Sequence, residues 1–255
     1  MVSSRTLTLA ILISSNVLSA QPGQSLFDSS KTTPPQPPTE LNPEQRADIL
    51  MARKMYREAV EVYKEGPQDS PIIWNKTGIA YHQMLNLDTA KKYYEKAVKL
   101  DPHYSEAVNN LGTVYYAHKN YRKAITYYKR ALKIAPESAS VYSNLGTAYF
   151  ARKKYKEAAE AYQTALSLDK DVFEHHGTYG VLLEERSVAE RAKFHFYLAQ
   201  TYAKAGMNDR ALQYIRKALE EGFKDKKKLT EDPEFVNLRE LPEFKEILAL
   251  EPRVL

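Results

Sequence analysis

The sequence predicts an all-α chain built from stacked antiparallel helix pairs, and three observations predict it. First, NNLGTVYYAHKNYRKA, beginning at Asn109, returns thirty-four residues later as SNLGTAYFARKKYKEA at Ser143, with nine of sixteen positions identical. A fixed period of this length is the mark of a repeat architecture. Second, each copy holds two amphipathic runs of about a dozen residues with apolar positions three and four apart, which is helical periodicity. Third, small residues recur at fixed places, so that paired backbones can approach while large side chains fill the remaining volume.

The register follows from sliding the motif along the chain. With Pro71, Ser105 and Ala139 as first positions, the eighth is Gly78, Gly112 and Gly146 and the eleventh is Tyr81, Tyr115 and Tyr149. The twentieth is Ala90, Ala124 and Ala158, the twenty-fourth Tyr94, Tyr128 and Tyr162, and the twenty-seventh Ala97, Ala131 and Ala165. Glycine inside a helix costs about 1 kcal/mol against alanine, so close packing is the reason to keep it there. The complete units are 71–104, 105–138 and 139–172. A degenerate unit over 43–70 aligns Ala59 and Tyr63 with a second helix but has no matching glycine. Another, over 192–225, supplies Leu198, Ala199, Tyr202, Ala211, Ile215 and Ala218. Residues 173–191 break the period, and Ser187 with Glu190 forms a capping-box pattern that starts a longer helix. Residues 226–255 hold a helix-start pair, Asp232-Pro233, and apolar anchors Phe235, Leu238, Phe244 and Ile247 for capping helices.

The chain ahead of the repeats has a different character. Residues 1–20 carry one cation, Arg5, then an apolar stretch from Leu7 to Ile13 and small residues up to Ala20, the layout of a signal peptide. That stretch is too short to cross ~30 Å of hydrocarbon, so no stable membrane insertion is expected after cleavage. Residues 21–42 include KTTPPQPPTE, whose prolines deny it an apolar face and make it a disordered linker. The expected location is the bacterial periplasm or the extracellular space. The chain has 255 residues, 43% of them hydrophobic, with Tyr 19 and Cys 0, so its stability rests on packing rather than disulfides. Its net charge of +5 is spread along the chain, which argues against nucleic acid as a partner.

These residues resemble the tetratricopeptide repeat, whose pattern is W-x2-L-G-x2-Y followed by Ala, an aromatic, Ala and Pro. Trp74, Gly78, Tyr81, Ala90, Tyr94, Ala97 and Pro102 match in the first complete unit, with Thr77 in place of leucine. Leu111, Gly112, Tyr115, Ala124, Tyr128, Ala131 and Pro136 match in the second. The third keeps Leu145, Gly146, Tyr149, Ala158, Tyr162 and Ala165 but has Lys170 where proline is usual. The resemblance spans roughly Leu41 to the C-terminus. It implies a right-handed superhelical solenoid whose inner wall is lined by the first helix of each pair.

Catalytic motifs are missing: there is no phosphate-binding glycine loop, no HExxH and no G-x-S-x-G. Ser167 and Lys170 spell SxxK without its partner motifs, and His175-His176 lacks the further ligands of a metal site. Neither a cofactor nor a metal is expected. The lysine pairs at the starts of the second helices, Lys91-Lys92, Arg122-Lys123 and Lys153-Lys154, read as an outer solubilising face.

By the resemblance, the sixth position faces the groove, where it is Lys76, Asn110 and Asn144. Amides there are similar to the asparagine ladder of O-linked N-acetylglucosamine transferases, which bonds the backbone of an extended peptide. An amide both donates and accepts, so it can pair with a peptide unit of any sequence. Structural packing of these asparagines is the alternative. The same register adds Asn75, Asn109, Thr113, Tyr116, Ser143, Thr147 and Phe150 to the groove. The expected function is a non-catalytic scaffold that binds an extended peptide or partner protein, in the assembly of an envelope complex. Two alternatives stay open: an enzyme subunit or regulator with a site at 173–191, and an adaptor that self-associates through its repeat ends.

Overall fold

The computed structural model describes residues 41–174 and 187–249. The signal-peptide expectation, the linker expectation up to residue 40, His175-His176 and most of the 173–191 insertion lie outside the described residues, whereas Asn42, placed at the end of the linker, caps the helix that starts at Pro43. Twelve α-helices occupy the described part: α1 (Pro43–Ala52), α2 (Tyr56–Lys64), α3 (Pro71–Gln83), α4 (Leu87–Leu100), α5 (Ser105–Ala117), α6 (Tyr121–Ile134), α7 (Ala139–Ala151), α8 (Tyr155–Leu168), α9 (Val188–Lys204), α10 (Asn208–Glu220), α11 (Lys226–Glu231) and α12 (Pro242–Ala249). The dominant packing partners are consecutive: α1 with α2, α3 with α4, α5 with α6, α7 with α8, and α9 with α10. The second helix of each of the first three pairs then meets the first helix of the next, and α3, α5 and α7 touch in succession.

The glycines of the eighth position explain how tightly the pairs close. A Cβ placed on Gly78, Gly112 or Gly146 would stand 2.6, 2.6 and 2.5 Å from the ring of Tyr94, Tyr128 and Tyr162 respectively. Each ring, fully buried, lies across the neighbouring backbone in the space that a side chain would need. The tyrosines of the eleventh position pack against the same apolar clusters as those of the twenty-fourth. They are only partly buried and lie beside other rings at the edge of the pair, Tyr81 with Tyr93 at 5.1 Å and Tyr115 with Tyr127 at 5.1 Å.

Between paired helices the chain turns on a left-handed residue. Leu85, Lys119 and Lys153 have φ of 59°, 58° and 60°, one per complete unit. The amides of Asn86, Asn120 and Lys154 then bond back five residues to Tyr81, Tyr115 and Tyr149 carbonyls, which closes the first helix in a Schellman-type stop. Asn86 and Asn120 cap the following helix with their side chains.

Helix α9 begins at the Ser187–Glu190 capping box. The C-terminal segment corrects one detail. Asp232-Pro233 opens a single 3-10 turn, Pro233–Phe235, rather than a helix, with the Asp232 carboxylate accepting from the Glu234 amide. Phe235, Leu238, Phe244 and Ile247 are buried against α9 and α10 in one apolar cluster with Phe196 and Ile215.

Candidate functional site

The polar residues assigned to the groove sit on α3, α5 and α7, and the structure gives most of their side chains a role within the chain. Asn144 Nδ2 donates to Asn109 Oδ1 at 3.1 Å, and Asn109 Nδ2 lies 3.5 Å from Asn110 Oδ1. Asn110 Nδ2 donates to Asn75 Oδ1 at 2.9 Å, and Asn75 Nδ2 donates to the Tyr104 hydroxyl at 3.3 Å. The four amides thus form one donor-to-acceptor chain running from α7 through α5 to α3. Asn75, Asn109, Asn110 and Asn144 are 2%, 2%, 7% and 5% exposed. Burial at that level requires such partners, because an unpaired amide away from water carries a desolvation penalty.

Asn110 and Asn144, expected to lend their amides to a ligand backbone, are bonded within the chain in this structure, each reaching back to the fifth position of the preceding unit. Lys76, the sixth position of the first complete unit, does the same with charge. Its Nζ donates to Glu44 at 2.7 Å and to Asp48 at 2.6 Å on α1. Partial burial works against the lysine's charge, yet the bonds to Asp48 and Glu44 hold its pKa above the ordinary value. Asp48 also accepts from the Tyr63 hydroxyl at 2.5 Å, and burial together with that carboxylate pushes the phenol's pKa up.

The ninth-position threonines are engaged as well. Tyr128 donates to Thr113 and Tyr162 to Thr147, both at 3.3 Å, so each buried phenol has a polar partner on the helix it packs across. Thr113 and Thr147 themselves donate to the carbonyls of Asn109 and Ser143. The unit with Ile79 at this position uses another partner, and the Tyr94 hydroxyl lies 3.4 Å from His82 Nδ1. Tyr116 and Phe150 are buried, Tyr116 against Tyr121 at 5.1 Å and Phe150 against Phe194 at 5.4 Å. Of the ten assigned residues, Lys76, Ser143 and Thr147 keep partial exposure.

Sequence reasoning placed the asparagines on facing helices but missed that they face one another. The signal was the doublet Asn109-Asn110: one amide aligns thirty-five residues from Asn144 and the other thirty-five from Asn75. A side chain at position six that meets position five of the unit before needs that offset of one.

Models of the tetratricopeptide repeat match residues 69–137, 104–171 and 143–225. The chain belongs to the tetratricopeptide repeat family. A search of curated proteins returns no significant match. Among solved structures, a crystal structure of MamA aligns at 22% identity with a TM-score of 0.48, covering 71% of this chain and 96% of that one. MamA 41-end from Desulfovibrio magneticus RS-1 aligns at 22% and 0.49, covering 70% and 92%. The first such repeat domain of Spaghetti (RPAP3), bound to an HSP90 peptide SRMEEVD, aligns at 25% and 0.41, covering 42% and 86%.

Between α8 and α9 lies a cleft of about 590 Å³, lined in part by Tyr155, Gln163, Tyr197 and Gln200. Tyr155 and Tyr197 stack there at 4.8 Å, with Lys193 Nζ 4.0 Å above the Tyr155 ring. Among the described residues no cluster of His, Asp and Glu is arranged to hold a metal ion, and no helix is long and apolar enough to cross a membrane.

Proposed function

We propose that the chain is a non-catalytic scaffold that binds a partner protein, exported from the cytoplasm and acting in the assembly of an envelope complex. The observation that carries the reading is the internally bonded row of first helices. Ion pairs tie α1 to α3 and amides tie α3, α5 and α7 together, so the wall is ordered before any partner arrives. A preorganised surface loses little conformational freedom on binding, which is where a repeat scaffold gains affinity. Tetratricopeptide repeats are in general protein-interaction modules, which supports the reading. Export rests on the layout of residues 1–20, and the proline-rich 21–42 is the tether between the cleaved end and the stack.

Affinity capture of the tagged chain from the membrane and exported fractions of the cells that make it tests this. The expected result is a protein partner retained in near-stoichiometric amount on a chain whose N-terminus starts near Gln21. Met1 intact in the exported fraction contradicts the cleavage, and turnover of a substrate by the purified chain contradicts the non-catalytic reading.

A further inference from the structure

The second helices of the three complete units occupy equivalent places, but their outer charges differ. Helix α4 interleaves signs, with Lys91 3.6 Å from Glu95. At α8, Glu157 pairs with Lys154 at 2.7 Å. Helix α6 carries Arg122, Lys123, Lys129, Arg130 and Lys133 and no acidic residue. Arg122, Lys123, Lys129 and Lys133 are exposed, and none of the five cations makes an ion pair with a described residue. At ~100° per residue these positions fall on one side of the helix, where neighbours such as Lys129 and Lys133, ~6 Å apart in helix rise, sit within a Debye length of ~8–10 Å. Solubility alone is met by mixed signs, as α4 and α8 show, and a single-sign face raises the self-repulsion that mixed signs avoid. Half-buried rings border the row: Lys123 Nζ lies 5.1 Å from the Tyr115 ring and Lys129 Nζ 5.7 Å from the Tyr149 ring.

We infer that the outer face of α6 is a docking surface for an acidic, extended segment of the partner protein. Charge complementarity selects the chemistry, and spacing selects the extended form. Lys129 and Lys133 are separated by ~6 Å of helix rise, and Arg122 and Lys133 by ~16 Å. Alternate side chains of an extended chain stand ~6.7 Å apart on one face. Carboxylates two positions apart therefore match Lys129 and Lys133, and about six residues of extended chain reach the length of the row. The inference rests on the scaffold reading and adds the face and the ligand chemistry to it; affinity capture can succeed where the peptide experiment fails.

The test is fluorescence anisotropy of the full chain with a labelled heptapeptide of alternating glutamate and serine, against its glutamine counterpart. The expected result is binding of the acidic peptide only, weakening as salt is raised. Lys129→Gln/Lys133→Gln should then raise Kd at least fivefold, while Lys224→Gln/Lys227→Gln, which removes the same charge elsewhere, changes it less than twofold. Equal losses in the two variants would reduce the effect to net charge and overturn the assignment. Absence of peptide binding, or binding to vesicles rich in phosphatidylserine without peptide binding, would overturn it too, the latter in favour of a membrane surface.

Discussion

Lys119 shows how a single residue carries strain that the repeat tolerates. Its φ of 58° lies in the left-handed region, where a side chain costs ~1–2 kcal/mol and glycine costs less sterically but more in unfolded-state entropy. Lys119→Gly should therefore gain about 0.5–1 kcal/mol, read as a higher urea midpoint. A lower midpoint would show that the side chain contributes more than the strain costs. His82 sets a pH response. Burial holds its pKa below the ordinary 6.5, so above that value both folded and unfolded chains carry it neutral and no stability is lost. As pH falls below about 6.5 the unfolded chain takes up the proton first and stability declines. His195 shifts the same way, with burial outweighing the attraction of Glu221. His82→Gln should flatten the fall in melting temperature between pH 7 and pH 5 without abolishing it; an unchanged slope would remove His82 from the account.

At the scale of the element, the helix pair is held by a side chain lying over a backbone. Gly112→Ala would put a methyl 2.6 Å from the Tyr128 ring, and the ring, buried on all sides, has little room to withdraw. The cost should be about 1–3 kcal/mol, an overpacking penalty despite alanine's better helix propensity. Thermal unfolding of the variant at or above the parent's temperature would contradict the geometry. The pairing was legible in the sequence because glycine, alanine and tyrosine recur at positions eight, twenty and twenty-four, and each has a steric reason to be there. The terminal segment was less legible: Phe235, Leu238, Phe244 and Ile247 were readable as anchors, but Asp232-Pro233 starts helices and 3-10 turns alike. The candidate site was readable only as a set of positions. The doublet Asn109-Asn110 carried the pairing of position six with position five, but at an offset of thirty-five residues, one more than the period of thirty-four by which the register is read.

For the whole molecule, stability in a repeat stack is a sum of intrinsic and nearest-neighbour terms. Buried polar bonds between first helices belong to the neighbour terms, and they fix register because an offset stack would leave the amides unpaired. The central claim is that position six joins repeats to one another. Urea unfolding of the Asn110→Ala/Asn144→Ala double variant, followed by circular dichroism beside the parent, tests it most directly. The variant strands the Asn75 and Asn109 carbonyl oxygens in a buried setting, at about 1–3 kcal/mol each, a large share of the ~5–15 kcal/mol that stabilises a typical domain. The account predicts a transition displaced to clearly lower urea, with native helicity kept in its absence. A transition superimposable on the parent's, together with lost capture of the partner, would contradict the structural ladder and return these amides to a ligand.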